Sequence, residues 1–412
     1  MKTAMMAILL FAAQASAHQA ILENFNTKPV LADLSDLKAL DIPVIEKEES
    51  VGVGYAVITP EMQLKIQERA HKVGKCGGFE DLTTEPAFHS LNIPSMLSSL
   101  AQIQAKNDFY QRAPFAALSM EKNAEIESAV GEVSEQNLRE WVTWLSSYPT
   151  RYNRGKTPNL HVDDMKRRLE TLLAGSDIPY EISLIDHNTT PQKTVRVRLT
   201  GKTRPNEIIV LGGHLDSIVQ GGWGGGSGGN APGADDNASG SANLLETLRI
   251  ISKKAQPDRT IEFMWYAGEE SGLLGSAEIA KAYKAEKRDV VAVLQLDMTS
   301  YPGAGELVMG NMTDFTSRWL HDYLRAVNET YLHVRIVDDQ CGYGCSDHAS
   351  WHRQGFPALM PFEATMRNDN PFIHTVKDVI NDKTNFKHSA VYSKLAVVFA
   401  MDLANSTSRQ PY

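Results

Sequence analysis

Short apolar runs alternate with helix-like segments over the second half of this chain, and that alternation limits its possible folds more than any other feature. Strand-like runs cover 194–199, 208–211, 261–266, 290–296, 334–337 and 358–362. Segments with helical spacing cover 239–251, 272–285, 314–327 and 389–403. Strands that alternate with helices predict an α/β fold, with a mixed, mostly parallel central sheet and helices on both faces.

Two further helices are predicted ahead of the first strand. One begins near Ser134, carries apolar residues at helical spacing and ends before Pro149; the second covers about 162–173. The polar stretch 123–135 predicts a domain boundary, so 123–412 is expected to form the main domain. Residues 18–122 are a mixture of polar and apolar segments, with helical periodicity only near 62–73. We interpret them as a smaller prosegment, which could either assist folding or act as an intramolecular inhibitor that covers the active cleft until cleavage.

The first 17 residues have the pattern of a secretory signal peptide. Lys2 precedes an apolar run over 4–13, and Ala15, Ser16 and Ala17 form a small-residue ending that predicts cleavage after Ala17. The apolar run is too short to span a membrane. We therefore predict a secreted protein without a stable membrane anchor after cleavage, with an uncleaved anchor as the alternative.

Composition excludes several classes of function. The 412 residues are 42% hydrophobic and 22% charged, which is typical of a globular chain, and the net charge of -9 with no basic cluster argues against nucleic-acid binding. Three cysteines are too few for a disulfide framework in a secreted protein. Cys341 and Cys345 could bridge a tight loop, whereas Cys76 would be lost with the prosegment.

Chemically active side chains recur where the predicted strands end. Sites in open α/β sheets lie beyond the carboxyl ends of the strands, so these side chains are expected to meet. They are His214, Asp216, Glu269, Glu270, Asp297 and Glu363, with His374 further along. Two imidazoles with several carboxylates suit Zn²⁺, and a carboxylate that bridges two ions would hold a pair of them. The alternative is a coincidental set of solvated loop acids.

Six motifs in order carry a resemblance to a known family: GGHLDS, APGADDNASG, YAGEESGLLGS, LQLDMT, CGYGCSDHASW and IHT. Together they resemble the secreted bacterial leucyl aminopeptidases of the two-zinc metallopeptidase clan, over roughly residue 135 to the C-terminus. The resemblance implies a zinc exopeptidase-like fold, two Zn²⁺ ions per chain, and a signal peptide followed by a removable prosegment. The implied substrates are peptides with a free N-terminus, and we expect a monomer.

The resemblance also implies a role for each matching residue. His214 and Asp297 would bind one zinc, His374 and Glu270 the other, and Asp235 would bridge both ions. Glu269 would be the general base, which takes a proton from water and passes it to the departing amine. The remaining assignments concern supporting residues: Asp216 would orient His214, Asp236 would be structural, Cys341 and Cys345 would form a disulfide, and Tyr343 would donate a hydrogen bond to the reaction intermediate.

Local geometry adds two expectations. In an extended segment successive side chains point in opposite directions, which would send one of the adjacent glutamates to the metal and the other to the water. An apolar pocket should accept the substrate side chain, and its candidate lining residues, which core packing could equally explain, are Met298, Met360, Phe362 and Ile373. Leucine preference itself is implied by the resemblance.

Other functions remain as alternatives at this point. A carboxypeptidase, a dipeptidase or an amide-cyclising enzyme could use the same scaffold, and a binding or receptor module would need a damaged ligand set. A serine hydrolase would require a GxSxG elbow at a strand–helix junction, and the sequence has none at such a junction. The glycine-rich run 221–229 lacks the Lys-Ser/Thr ending of a phosphate loop, so we interpret it as a flexible rim.

Overall fold

A computed structural model describes residues 27–72, 78–82, 93–112, 120–219 and 229–408 of the chain. The predicted signal peptide (1–17), Cys76 and most of the glycine-rich run (221–228) lie outside the described residues. Within the described ranges, none of the helices is both long and apolar enough to cross a membrane.

The described residues of 27–112 form a small unit, called here the N-terminal unit. Its strands are β1 (Lys28–Asp33), β2 (Glu46–Glu48), β3 (Val53–Ile58) and β4 (Phe79–Asp81), and its helices are α1 (Leu34–Ala39), α2 (Pro60–Lys72) and α3 (Ile93–Arg112). The strands pair antiparallel in the order β2-β3-β1-β4. Helix α2 coincides with the predicted helical periodicity and buries Ile66 and Ala70 against this sheet.

Residues 120–408 form the main unit around an eight-stranded sheet. Its strands are β5 (Tyr180–Ile185), β6 (Thr194–Leu199), β7 (Arg204–His214), β8 (Arg259–Tyr266), β9 (Asp289–Gln295), β10 (Val308–Met312), β11 (Arg335–Asp339) and β12 (Ala358–Phe362). Their order is β11-β10-β12-β9-β7-β8-β6-β5. The central strands β12, β9, β7 and β8 are parallel, while β6 runs antiparallel to β8. The predicted mixed, mostly parallel sheet is confirmed.

Helices cover both faces of this sheet. They are α4 (Ala124–Gly131), α5 (Glu135–Ser146), α6 (Leu160–Leu173), α7 (Ala238–Ile251), α8 (Leu274–Ala285), α9 (Arg318–Val327), α10 (His348–Arg353) and α11 (Phe386–Asn405). Because alternate residues of a strand point to opposite faces, Ile209 and Leu211 pack in one hydrophobic cluster with α5, α7 and α11. Ile208 and Val210 pack in a second cluster with α8 and α10. A strand segment buried on both faces is continuously apolar, as the segment 208–211 of β7 is.

Four elements of the main unit escaped prediction: β5, β10, α4 and α10. Helix α10 has only six residues, too few for a periodic pattern. Strand β5 lies at the sheet edge and stays largely accessible, so it lacks a buried apolar run. Strand β10 contains Gly310 and Asn311, which weaken the strand pattern. Helix α4 occupies the polar stretch that was interpreted as a domain boundary, and it packs Ile126 into the main core.

Candidate metal centre

Strand β7 ends at His214, whose two ring nitrogens have separate partners. Nδ1 lies 3.1 Å from the main-chain oxygen of Asp216 and 3.5 Å from its carboxylate Oδ1. Nε2 lies 3.1 Å from Asp236 Oδ1 and 3.3 Å from Asp297 Oδ1. A ring held at Nδ1 presents Nε2 in one fixed direction, as a metal-binding histidine requires.

His374 faces the same place from the other side of Asp236. Its Nε2 lies 2.9 Å from Asp236 Oδ2 and 2.9 Å from Glu270 Oε2. Two groups of potential ligands therefore share one carboxylate: His214, Asp236 and Asp297 form the first, and Asp236, Glu270 and His374 the second. One oxygen of Asp236 belongs to each group.

The spacing of these atoms fits zinc. Nitrogen and oxygen ligands about 2.0–2.2 Å from a tetrahedral Zn²⁺ lie roughly 3.3 Å from each other. The observed separations of 2.9–3.3 Å are close to that value. In the described part of the chain, His214 Nε2, Asp297 Oδ1 and both carboxylate oxygens of Glu270 are buried without a hydrogen bond. Buried polar atoms left in this state suit a bound cation.

The electrostatics also favour cations. Five buried carboxyl groups surround the two imidazoles: Asp216, Asp236, Glu269, Glu270 and Asp297. Burial lowers the pKa of His214, but the carboxylates of Asp297 and Glu269 outweigh this effect and raise that pKa well above its usual value. Burial, reinforced by the charge of Asp236, raises the pKa of Glu270 to about 7. A divalent ion in each group would offset this excess of negative charge.

The prediction that Asp235 lies between the histidines is wrong, because that place is taken by Asp236. The carboxylate of Asp235 instead accepts hydrogen bonds from Ser300 N at 3.0 Å, Ser300 Oγ at 2.7 Å and Asn370 Nδ2 at 3.0 Å. The chain turns here into α7, so neighbouring side chains diverge, and two identical adjacent residues carry no local signal of which one faces inward. A non-proline cis peptide bond joins Asp236 to Asn237.

The adjacent glutamates do not lie in an extended segment, so the expectation that successive side chains point in opposite directions there is wrong. Residues Glu269–Ser271 form a single 3₁₀ turn preceded by Gly268 at φ 66°. Glycine adopts this left-handed backbone conformation without a Cβ penalty. The turn sends Glu270 to His374, while the Glu269 N–H donates to Asp216 Oδ1 at 3.0 Å.

The predicted catalytic base, Glu269, lies inside the same buried cluster. Its side chain is 3% exposed, and burial raises the pKa of its carboxyl group well above the usual value. The charge of His214 opposes that shift, so the two groups are close enough to interact. Asp216 contacts both the His214 ring and the Glu269 main chain, which links the histidine to the turn that carries the base.

The loop 341–345 contributes the disulfide and Tyr343. A bond joins Cys341 to Cys345, and the N–H groups of Cys341 and Gly342 donate to the Asp314 carboxylate at 3.1 and 2.8 Å. The apolar residues of this region form one buried cluster that also contains the four predicted pocket residues: Met298, Met312, Cys341, Tyr343, Cys345, Met360, Phe362, Met366 and Ile373. The residues proposed for a pocket are thus neighbours in space.

Glu363 follows a strand as predicted, yet it belongs to neither ligand group. Its carboxylate accepts from Tyr301 N at 2.7 Å and from Asn370 N at 3.1 Å. Burial and the nearby charge of Asp235 raise its pKa well above the usual value. From its position beyond β12, Glu363 therefore stabilises the loops that contain Tyr301 and Asn370.

Asn237 is a residue of the site that sequence reasoning missed. Its Oδ1 accepts from Gly240 N at 2.9 Å and Met298 N at 3.2 Å, and its Nδ2 donates to Leu296 O at 3.0 Å. It thereby joins the start of α7 to the segment that carries Asp297. The available signal was its place as the N-cap of α7, since asparagine is favoured there.

The N-terminal unit contacts the two loops beside the site through β4. Asp81 N–H donates to Gly272 O at 3.3 Å, directly after the turn that carries Glu269. Glu80 pairs with the buried guanidinium of Arg353, and a Cβ on Gly344 would lie 3.4 Å from both side chains. The contacts reach the loop of Tyr343 and the turn of Glu269, but the N-terminal unit supplies no member of the two ligand groups.

A mixed, mostly parallel sheet with two ligand groups beyond its strand ends is typical of a metal-dependent enzyme, and sequence comparison identifies the family. The chain belongs to Peptidase family M28, whose model matches residues 194–401. A probable leucine aminopeptidase of Trichophyton verrucosum is 36% identical over 289 residues, which is 69% of this chain and 77% of the relative. A probable aminopeptidase of Saccharomyces cerevisiae is 33% identical over 68% of this chain and 76% of its own length. The protein is therefore a metalloaminopeptidase.

A solved structure extends the similarity towards the N-terminus. The LapA aminopeptidase of Legionella pneumophila matches with a TM-score of 0.76 and 27% identity, and the match covers 93% of this chain and 99% of that chain. Residues 123–412 make up only about 70% of the 412 residues. The match to LapA therefore includes part of the region 18–122.

Proposed function

We propose that this protein is a secreted two-zinc aminopeptidase that removes N-terminal residues of the leucine type from peptides. The observation that carries the proposal is the position of the Asp236 carboxylate, with one oxygen 3.1 Å from His214 Nε2 and the other 2.9 Å from His374 Nε2. A shared carboxylate between two histidines is the arrangement that holds two metal ions close together.

Each ion would have its own ligands besides Asp236. His214 and Asp297 would hold one, and His374 and Glu270 the other, in agreement with the separations between their ligand atoms. Asp236 replaces Asp235 as the bridge in this assignment. When bound, the two ions supply Lewis acidity to the scissile carbonyl and lower the pKa of water.

Glu269 is the proposed general base. Its carboxylate would take the proton of the attacking water and give it to the departing amine, which is the usual double role of such a residue. The Glu269 N–H donates a hydrogen bond to Asp216 Oδ1 at 3.0 Å. This bond fixes the main chain of the base relative to Asp216, the orienting partner of His214.

Tyr343 and the apolar cluster around it are proposed to bind the substrate. The phenol would donate a hydrogen bond to the carbonyl oxygen as negative charge develops there, which is the role of an oxyanion donor. Met298, Met360, Phe362 and Ile373 surround this loop and would accept an apolar side chain. The leucine aminopeptidase names of the curated relatives support this choice of side chain.

Residues 18–122 are proposed to act as a prosegment after removal of the signal peptide 1–17. The contacts of β4 with Gly272, and of Glu80 with Arg353, support a role in covering the site. Both contacts lie next to loops that carry proposed catalytic residues. A unit docked in this way would restrict access of a peptide N-terminus until it is released.

The test compares free and blocked substrates on one preparation. Purified protein loaded with zinc should cleave leucyl anilide and leave N-acetyl-leucyl anilide intact, since an aminopeptidase requires the free amine. Metal analysis of the same sample should give two zinc ions per chain. Equal cleavage of the blocked substrate, or full activity with a single ion, would contradict the proposal.

A further inference from the structure

The shared ligand Asp236 is carried by neither a strand nor a long helix, so something else must fix it. It follows β7 by more than twenty residues and lies just before α7 begins at Ala238. Ligand atoms must be held within a fraction of an ångström for two ions to share one carboxylate. The main chain around Asp236 therefore needs its own support.

Asp378 contacts three successive N–H groups of this segment. Its main-chain oxygen accepts from Ala234 N at 3.1 Å, Oδ1 accepts from Asp235 N at 3.0 Å, and Oδ2 accepts from Asp236 N at 3.1 Å. Asp378 is only 2% exposed. One buried residue thus accepts hydrogen bonds from three successive N–H groups and holds the segment at three points.

Arg151 contacts the carbonyl groups immediately before these N–H groups. Its guanidinium donates to Pro232 O at 2.5 Å and Gly233 O at 2.8 Å, and also to Leu215 O at 2.9 Å just past His214. Gly233 has φ 52°, and a Cβ there would lie 2.8 Å from Arg151 Nη2 and 2.4 Å from Asp236 O. The segment 232–236 thus lies between the fully buried guanidinium of Arg151 and the buried carboxyl group of Asp378.

The position of Asp378 in the chain ties this support to the second histidine. His374 and Asp378 are four residues apart, and Asp378 N–H donates to Thr375 O at 3.2 Å. The short turn that presents His374 therefore also holds the main chain of Asp236. Movement of one ligand relative to the other would require that turn to open.

We infer that Asp378 is a positioning residue of the metal centre, which holds the main chain of Asp236 so that its carboxylate faces His214 and His374 together. The inference rests on the proposed two-zinc function. Asp378 itself belongs to neither ligand group. Its effect on the metal centre must therefore pass through the three N–H groups from which it accepts hydrogen bonds.

The test replaces Asp378 by asparagine in the full chain. The asparagine side chain has the same size but only one oxygen, whereas Asp235 N–H and Asp236 N–H each need an acceptor. One of these buried N–H groups therefore loses its acceptor. The control is Asp382→Asn, the same change four residues later at an exposed position of the same segment. Zinc affinity is measured by competition with a chelator, and ligand geometry is followed by the absorption spectrum of the Co²⁺-loaded protein. Amide hydrogen exchange measures how well the main chain of 234–236 is protected.

For Asp378→Asn we expect zinc affinity to fall by about 10- to 100-fold, as for other changes behind metal ligands. The Co²⁺ spectrum should shift, and amide exchange of 234–236 should accelerate in the metal-free protein. With saturating zinc, kcat for leucyl anilide should fall while KM changes little. The control should match the unsubstituted protein in all four measurements. Unchanged zinc affinity and an unchanged Co²⁺ spectrum would overturn the inference, even if the melting temperature fell.

Two further results keep the test decisive. If Asp378→Asn does not accumulate as folded protein, amide exchange in the unsubstituted metal-free chain tests the inference instead. Amides 234–236 should then exchange as slowly as those of β7. Fast exchange of these amides would overturn the inference. Failure of the proposed function is a separate result, visible as one zinc ion per chain or no preference for free leucyl anilide in the unsubstituted protein. The exchange of amides 234–236 still reports on Asp378 in that case.

Discussion

The N-terminal unit and the main unit differ in how their sheets are built and in what their loops carry. The N-terminal sheet is small and antiparallel, and its longest strands have six residues. The main sheet has four central parallel strands buried between helices. Parallel strands place their carboxyl ends along one edge, and there the main unit gathers both ligand groups.

The two units divide catalysis and access to the site between them. All members of the two ligand groups lie in the main unit, together with Glu269 and Tyr343. The N-terminal unit reaches the loops beside the site through Glu80 and Asp81 of β4. It also shares a buried apolar cluster with Leu273, Phe315 and Ala349 of the main unit. Substitutions of the ligand groups or of Glu269 in the main unit should therefore abolish the reaction. Changes in the N-terminal unit should instead alter how easily a substrate enters the site.

The largest expected effect comes from the shared ligand. Asp236→Ala should lose bound zinc and all measurable activity, because both ligand groups lose an oxygen. Asp235→Ala should keep two zinc ions, although loss of its bonds to Ser300 and Asn370 will weaken the surrounding loops. Zinc content by metal analysis distinguishes the two variants, and the reverse result would restore Asp235 as the bridge.

Next in size is removal of the general base. Glu269→Ala should lower kcat by about 10²- to 10⁴-fold, the usual contribution of acid-base catalysis, because no carboxylate remains to take the proton from water. Zinc content should stay at the unsubstituted level, since Glu269 belongs to neither ligand group. Steady-state kinetics and metal analysis on one sample provide the measurement, and retained activity would remove Glu269 from this role.

Release of the N-terminal unit should have a smaller effect of opposite sign. A chain that begins at Met120 keeps α4, which packs in the main core, and should be more active than the full chain by roughly tenfold if docking contributes about 1.4 kcal/mol. Cleavage of leucyl anilide by equal amounts of each protein is the measurement. Equal rates would make the N-terminal unit a permanent structural part instead of an inhibitor.

Weakening one contact of that unit should give part of the same increase. Glu80→Ala removes the partner of the buried Arg353, whereas Glu61→Ala, at an exposed position of α2, serves as the matched control. We expect the full-length Glu80→Ala protein to be more active than the control protein. An activity at or below that of the control would argue against β4 as the covering element.

The disulfide should affect stability more than rate. Closing a loop of about five residues restricts the unfolded chain by about 2 kcal/mol, so replacing Cys341 and Cys345 by serine should lower the free energy of unfolding by that amount. Denaturant titration under non-reducing conditions measures it. A large loss of kcat at full stability would instead show that the bond mainly positions Tyr343.

Much of the main unit could be predicted because the signals are local. The run TVRVRL and the stripe of leucines over 239–251 reveal a strand and a helix from their periodicity alone. Because sites lie beyond the carboxyl ends of parallel strands, His214, Glu269, Glu270 and Asp297 were then predicted to be site residues. The antiparallel N-terminal unit lacks such a rule, and its short strands β2 and β4 carry too few residues for a pattern.

By itself the sequence determined the sheet class, the types of ligand and the presence of two histidines with several acids, because apolar periodicity and residue chemistry do not depend on distant contacts. Only the tertiary structure decided which of Asp235 and Asp236 faces the histidines and how the turn Glu269–Ser271 aims its two carboxylates. It also revealed Asp378, whose bonds to Asp235 and Asp236 span more than 140 residues. Side-chain direction at a turn depends on hydrogen-bond partners that lie far away in the chain, and no local pattern encodes them.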